Sequence, residues 1–462
     1  MANEQQRTMT PQARRAIAAA YFGTLIEWYD YALYGAAAGL VIGPLFFPDV
    51  IPASASMLAF ATFAVGFVVR PLGGLIISHL GDRVGRKPAM ILTIVLMGIA
   101  TVGIGLLPTA EAIGVAAPIL LILFRFIQGF GAGAELAGAL TLVAEYAPER
   151  RRGRVIGLVT SGAPGGAFLA TLAFTFASML PGDVLLGGAW RIPFLVSAVL
   201  FVLALWIRRR LEETPEYRDA VTNAEQSATK VPLAELFRRS PRELVIGFFS
   251  VCGHNVTNYV LSAFALSYLT LTVGMPRVEA LIAVLVSSLL TAFAPVLGGV
   301  AVDRFGAKRV VMFGSVAGIV LTYPVFLSLQ SGDPVLAALG MTALGVIAVG
   351  ATAASTGTFL TNLFPTRYRF TGVATARELN GALVAGPTPL IATALVAAAG
   401  GGLWLVVLFV IAACLVSLVA VVATPKRIGD LQPEEAFGPS VIASAERVSD
   451  GAGGGDTPGN RR

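Results

Sequence analysis

Ser78-His79-Leu80-Gly81-Asp82-Arg83-Val84-Gly85-Arg86-Lys87 has a weaker copy in Gly299-Val300-Ala301-Val302-Asp303-Arg304-Phe305-Gly306-Ala307-Lys308-Arg309. Asp303 follows Asp82 by 303 − 82 = 221 positions. Pro148-Glu149-Arg150-Arg151-Arg152 recurs as Pro365-Thr366-Arg367-Tyr368-Arg369, at an offset of 365 − 148 = 217. Two independent echoes at nearly one offset imply a duplicated unit. Each echo is a short basic segment between long apolar runs, so it reads as a turn between membrane helices.

The surrounding chain supports this. Of its 462 residues 56% are hydrophobic and 13% charged, against about 45–50% and about 25% in ordinary soluble domains. That balance argues against a soluble enzyme and excludes a disordered chain, which needs low hydrophobicity and high charge. A helix needs roughly 20 mainly apolar residues to cross the hydrocarbon core. Twelve runs qualify: 16–40, 55–77, 88–107, 116–144, 154–178, 190–208, 244–273, 279–301, 309–329, 334–363, 372–398 and 402–423. Strands would show alternating segments of about ten residues instead, so the expected fold class is all-α: a polytopic membrane protein of 12 helices in two pseudo-symmetric six-helix bundles. The expected organisation is an N-terminal segment (1–15), a first bundle (16–208), a linker (209–243), a second bundle (244–423) and a disordered tail (424–462) with its Gly453-Gly454-Gly455 run.

Orientation follows from the basic residues. Of 33 Lys and Arg, 28 lie in the N-terminus, the tail and the connections after runs 2, 4, 6, 8 and 10. Only Arg191 and Arg277 lie in the alternate connections, and Arg70, Arg125 and Arg377 lie inside runs. By the positive-inside rule both termini are expected in the cytoplasm of a cell-membrane protein. The formal charge of +6 is then an address in the bilayer rather than an affinity for nucleic acid. The first run contains Glu27 and Asp30 and lacks a small-residue cleavage site, so no cleavable leader is expected. Cys252 and Cys414 fall inside runs 7 and 12 and read as small buried hydrophobes.

Within the repeated turn, Gly85 and Gly306 permit a tight reversal or a positive φ. Asp82 or Asp303 can sit near a helix end and pair with an arginine of the turn or of a neighbouring helix. Asp82, Arg83, Gly85, Arg86, Asp303 and Arg304 are therefore expected to form conformational latches. Simple positive-inside topology would explain the arginines but neither the Asp nor the Gly spacing.

An ionisable group inside a span is expensive unless paired or facing water. Glu27, Asp30, Tyr31 and Tyr34 recur at i, i+3, i+4 and i+7, on one helical face. Carboxylates that close disfavour simultaneous ionisation, so the pair can hold a proton; a structural ion pair of Glu27 with Arg70 or Arg125 is the alternative. In run 4, Arg125, Gln128 and Glu135 again share a face. Arg125 stays charged and can hold a carboxylate, while Glu135 can exchange a proton. Gly129, Gly131, Ala132 and Gly133 allow close helix approach. Run 7 contributes His254, Asn255, Asn258 and Tyr259, and run 11 contributes Arg377, Glu378 and Asn380. Arg377 and Glu378 are adjacent, point about 100° apart and should pair with other helices. Trp28 and Tyr29 read as packing.

These stretches also carry a resemblance. The D-R-x-G-R-K turn, its copy in the second half and Arg125-Phe126-Ile127-Gln128-Gly129 resemble motifs of the major facilitator superfamily. Glu27-Trp28-Tyr29-Asp30, Arg70-Pro71-Leu72-Gly73-Gly74, Trp190-Arg191-Ile192-Pro193-Phe194, Glu213-Thr214-Pro215 and Phe364-Pro365-Thr366-Arg367 are similar to its metabolite:proton symporters. The likeness runs from about residue 16 to 423; Ser78 departs from it, where the turn signature usually opens with Gly. It implies proton-coupled uptake of a small organic acid by alternating access, without a cofactor, by a monomer whose partners are the acid, protons and lipid.

The expected site divides into Glu27, Asp30 and Glu135 for protons, and Arg125, Tyr31, Tyr34, Gln128, His254, Asn255, Asn258, Tyr259, Arg377, Glu378 and Asn380 for substrate. Uptake of a zwitterionic osmolyte of the proline or betaine type is the rival reading, and a drug or metabolite exporter a more distant one. A membrane enzyme is disfavoured: there are 2 His and 2 Cys and no HExxH or Gly-x-Ser-x-Gly stretch.

Overall fold

The computed structural model describes residues 11–84, 86–133, 135, 151–209, 236–238, 240–364 and 369–424. Among them there are helices and no strand. Helix α1 is Pro11–Ala37, continued by Ala38–Ile42 and Gly43–Phe46; α2 is Pro52–Val68 running on as Arg70–Val84; α3 is Arg86–Leu106; α4 is Ala116–Ala132. Then come α5 (Arg152–Ser178), α6 (Ala189–Ile207), α7 (Pro241–Leu271), α8 (Arg277–Phe305), α9 (Ala307–Gln330), α10 (Pro334–Leu363), α11 (Thr371–Ala398) and α12 (Trp404–Val422). Nine of these, α2 and α5–α12, are long and apolar enough to cross a membrane. The shorter apolar stretches Ile91–Leu106 and Ala116–Ala132, with carboxylate-bearing α1, complete the expected twelve.

The starts of several helices are written locally. Pro52, Pro241 and Pro334 stand in the first turn, where the missing amide costs nothing. The Asp333 carboxylate accepts from the amides of Val335 and Leu336, at 2.7 and 3.2 Å, an N-cap that satisfies otherwise orphaned donors. Because α7 begins at Pro241, it starts three residues before the expected 244.

The duplication reappears in an irregularity that composition does not show. Helix α1 widens into a π turn at Ala38–Ile42 and α7 at Val260–Phe264, an offset of 260 − 38 = 222 that matches the sequence echoes. Further π turns interrupt α10 at Gly345–Val349 and α11 at Gly381–Ala385.

Apolar side chains stand both inside and outside. Phe60, Phe63, Phe67, Trp190 and Phe194 are buried in a continuous core, whereas Val199, Phe313, Leu339 and Leu408 are exposed on the outer surface. A soluble protein would not leave so many large apolar residues in water; here lipid covers them.

Close backbone approach fixes how the helices cross. A Cβ on Gly129 of α4 would lie 1.9 Å from the Gly66 carbonyl oxygen of α2, and one on Gly133 2.0 Å from that of Arg70. Between the halves, a Cβ on Gly299 of α8 would lie 2.2 Å from the Gly153 carbonyl oxygen of α5, and one on Gly157 2.3 Å from that of Pro295.

The second copy of the repeated turn closes this same crossing. Gly306 has φ +85°, as its glycine allows. Asp303 accepts from the amides of Gly153 (2.7 Å) and Arg154 (3.2 Å), and its Oδ2 is 3.5 Å from Arg154 Nε. The partner is thus a helix start of the other half, not the turn itself. Arg304 takes no part: its guanidinium lies 5.3 Å from the ring of neighbouring Phe305 and forms no ion pair among the described residues. In the first copy, Gly85 and the side chains of Asp82, Arg83 and Arg86 lie outside the described residues, as do most of 209–243, the tail beyond Thr424 and residues 136–144 of the expected fourth run.

Candidate functional site

The tight α2–α4 crossing brings two arginines into the interior. Arg125 is fully buried, 0% exposed. Its Nη2 donates to the Phe63 carbonyl at 2.9 Å, its Nε to that of Thr62 at 3.4 Å, and its Nη1 to Gln128 Oε1. The guanidinium also stands 4.1 Å from the centre of the Tyr34 ring, a cation–π contact that offsets part of its desolvation. Gln128 passes the connection on, its Nε2 donating to Asp30 and, at 2.9 Å, to Thr101. Thr101 in turn donates to Asp30 at 2.5 Å. Asp30, Thr101, Gln128 and Arg125 thus form one network joining α1, α3 and α4 inside the first half.

Glu27 belongs to a different network. Arg70 Nη2 donates to Glu27 Oε1, while Arg70 Nε lies 3.5 Å from Glu378 Oε2 of α11. The second contact is an ion pair without hydrogen-bond geometry, since both atoms are buried and neither has a hydrogen-bond partner among the described residues. The Arg70 guanidinium is held over the rings of Tyr31 (4.9 Å) and Phe67 (5.3 Å). Glu27, Arg70 and Glu378 therefore link α1, α2 and α11 across the two halves. The half-buried Arg377 next in chain to Glu378 makes no hydrogen bond or ion pair among the described residues.

Several sequence expectations are rearranged by this geometry. Glu27 and Asp30 share a helical face but not a site, because one reaches α2 and the other α3 and α4; the ion pair of Glu27 with Arg70 is the alternative that forms. All three nitrogens of Arg125 donate within the first half, whereas Arg377 makes no hydrogen bond or ion pair among the described residues. Glu135 is buried and accepts from Thr93 at 3.3 Å. Tyr34 bonds Thr62 at 2.5 Å, and the buried Tyr31 hydroxyl has no hydrogen-bond partner among the described residues. In the second half, Asn255 donates to Asn380 at 2.6 Å, and Asn380 donates to the Phe248 carbonyl at 2.9 Å. His254 Nδ1 lies 2.8 Å from Thr352 Oγ1 on α10.

Two parts of the site were not singled out by residue type. Arg70 was legible as a charge inside a span and as the alternative ion-pair partner of Glu27, and Trp28 only as packing. Trp28 stacks on Tyr259 of α7 with ring centres 5.6 Å apart, another bridge between halves. It also lines a cavity between α1 and α5 on one side and α7, α8 and α10 on the other, into which Asn258 faces.

With this geometry in view, comparison with known proteins is informative. The family model of the Major Facilitator Superfamily matches residues 17–376. The chain is 37% identical over 409 residues to the shikimate transporter of Escherichia coli K12, covering 88% of this chain and 93% of that one. It is 36% identical over 393 residues to the proline/betaine transporter of the same organism, covering 83% and 78%. Among solved structures, the D-xylose-proton symporter superposes with a TM-score of 0.69 at 19% identity, over 90% of this chain and 99% of that one. A partially occluded, inward-open xylose transporter from E. coli gives 0.71 at 16% identity, over 92% and 100%; both bear on the fold alone. The chain is an integral-membrane transporter and belongs to the Major Facilitator Superfamily.

Proposed function

We propose that this transporter is a proton-coupled symporter that takes up a small organic acid by alternating access, with both termini cytoplasmic and the 16–208 and 244–423 halves rocking as bundles about a site between them. The observation that carries the reading is the buried Glu27–Arg70–Glu378 bridge across the halves, with Arg377 beside it making no ion pair among the described residues. Separating a buried ion pair leaves an uncompensated charge and costs about 3–5 kcal/mol. The halves can part at this point only if a proton neutralises a carboxylate or another anion takes over the arginine. A substrate carboxylate at Arg377, drawing Arg70 from Glu378, and a proton on Glu27 or Glu378 together meet that condition. The two ligands then promote the same change of state.

A zwitterionic osmolyte is the second reading, supported by the 36% identity to a proline/betaine transporter. Its carboxylate would use Arg377 and its ammonium one of the two carboxylates.

The test is uptake in proteoliposomes under an imposed proton gradient, with shikimate, oxoglutarate, benzoate, proline and betaine in competition. Uptake of an acid that collapses with the gradient supports the first reading, competition by proline and betaine alone supports the second, and indifference to the gradient refutes both. Glu27→Gln is expected to abolish accumulation while sparing some exchange of substrate; undiminished accumulation would remove Glu27 from the coupling role.

A further inference from the structure

Glu27 and Tyr31, and again Asp30 and Tyr34, stand four residues apart on α1, the spacing that sets one side chain beside the other on a helix. Each pair holds one buried arginine. Arg70 donates to Glu27 with its guanidinium 4.9 Å from the centre of the Tyr31 ring. Arg125 reaches Asp30 through Gln128, with its guanidinium 4.1 Å from the centre of the Tyr34 ring. Helix α1 therefore carries two clips of the same construction, one for each network. The Tyr31 ring faces both arginines, since Arg125 lies 5.9 Å from its centre as well.

The clips differ at the hydroxyl. That of Tyr34 is bonded to Thr62 Oγ1 at 2.5 Å, and Thr62 donates its own proton to the Ala59 carbonyl at 2.7 Å. The Tyr31 hydroxyl has no hydrogen-bond partner among the described residues, and neither has Glu27 Oε2, although both are buried. Buried polar atoms nearly always have partners, so each exception asks for an explanation. Side chains on a helix lean towards its N-terminus, which inclines Tyr31 towards Glu27. Two unmet atoms on neighbouring side chains of one face are the halves of a hydrogen bond that this state does not make. The charged groups acting on Tyr31 are Glu27 and Asp30 of α1, Arg70 of α2 and Arg125 of α4. From α7 and α11, Tyr259, Arg377 and Glu378 act on the same bridge.

We propose that Tyr31 is a positioning residue for proton release: its ring holds Arg70 while the halves are bridged, and its hydroxyl donates to the Glu27 carboxylate once Arg70 has left. This rests on the proton-coupled reading above, and adds to it the group that lets Glu27 give up its proton in the open state. A buried carboxylate deprived of its arginine is an uncompensated charge, and without another donor Glu27 would keep its proton. Such a carrier could exchange substrate but not accumulate it. The step moves one proton from the Glu27 carboxyl to water on the cytoplasmic side, and Tyr31 keeps its own.

The experiment compares the full chain with Tyr31→Phe, which keeps the ring and removes the hydroxyl. Accumulation and exchange are measured in proteoliposomes with labelled shikimate, oxoglutarate, benzoate, proline and betaine, at fixed external pH and varied lumenal pH. Exchange should persist in Tyr31→Phe. The lumenal pH for half-maximal accumulation should rise by about one unit or more, because a hydrogen bond to a charged group is lost and the proton then leaves only at lower proton concentration. Thermal unfolding should come no earlier than in the unsubstituted chain, since the hydroxyl has no partner to lose in this state. Tyr34→Phe, whose hydroxyl is bonded, should unfold earlier instead. An unmoved midpoint, an equal shift in Tyr34→Phe, earlier unfolding of Tyr31→Phe or loss of its exchange would each overturn the role of Tyr31 while leaving the coupling reading standing. Accumulation of none of the five solutes by the unsubstituted chain, or accumulation indifferent to lumenal pH, would overturn both.

Discussion

Asp303 of α8 accepts the backbone amide of Gly153 at 2.7 Å, so a carboxylate of the second half caps the first turn of a helix in the first. A negative group at a helix N-terminus meets both unsatisfied amides and the positive end of the helix dipole. The contact can form only because Gly153 and Gly299 let the two backbones touch. It ties the end of the bundle that holds the basic turns, remote in sequence from the Glu27–Arg70–Glu378 bridge.

We expect Asp303→Ala to open this end. Hydrogen bonds to a charged group contribute about 1.5–3 kcal/mol, enough to shift a two-state population by tens of fold. Spin labels at the exposed positions Leu158 and Val300 should report a new, longer distance in the variant. An unchanged distance distribution would exclude the cap as a determinant of closure.

Gly299→Val should act in the same direction by crowding rather than by lost charge. Its Cβ would meet the Gly153 carbonyl oxygen at 2.2 Å, and overpacking of this kind costs about 1–3 kcal/mol. Gly182→Ala, where nothing lies within 4 Å of an added Cβ, is the matched control. Transport should fall in the first and persist in the second; equal activity in both would show that the α5–α8 contact is not maintained during transport.

Arg70→Lys keeps the charge and should still fail. A guanidinium can address Glu27 and Glu378 from different nitrogens while stacking on Tyr31 and Phe67, whereas an ammonium is a point charge on a flexible stem. Gradient-driven accumulation is expected to drop about tenfold or more, because one buried carboxylate loses its partner. Uptake within twofold of the unsubstituted protein would mean that charge alone suffices there.

Gln128→Ala should be chiefly a stability variant. It removes a donor from Asp30 and an acceptor from Arg125, both buried, and unsatisfied groups of this kind cost about 1–3 kcal/mol each. Thermal unfolding in detergent should occur at a clearly lower temperature. If stability were unchanged and transport alone were lost, Gln128 would belong to the substrate rather than to the internal network.

His254→Asn is expected to retain accumulation within about twofold. The ring is bonded to Thr352 within the second half, and among the described residues no hydrogen bond or ion pair joins it to Glu27 or Asp30. Loss of gradient-driven uptake in this variant would return the histidine to the proton path.

What the sequence by itself determined is the class of solvent, the helices and the duplication. Runs of apolar residues of membrane-spanning length leave little choice of secondary structure in lipid, and the Asp82/Asp303 echo is repeated in the paired π turns of α1 and α7. It also determined which charges stand inside, because an ionisable residue in a span is conspicuous wherever it points. Periodicity could place Glu27 and Asp30 on one face of α1 but could not say what each would meet. That depends on the azimuth of α1 against α2, α3 and α4, set by tertiary contacts such as Gly129 on Gly66. Only the tertiary structure decided that Glu27 joins Arg70 and Glu378 across the halves, that Arg125 hydrogen-bonds within one half, and that Asp303 caps α5. Helix spacing is local, whereas a buried charge takes whichever partner the packing of separate helices brings within reach.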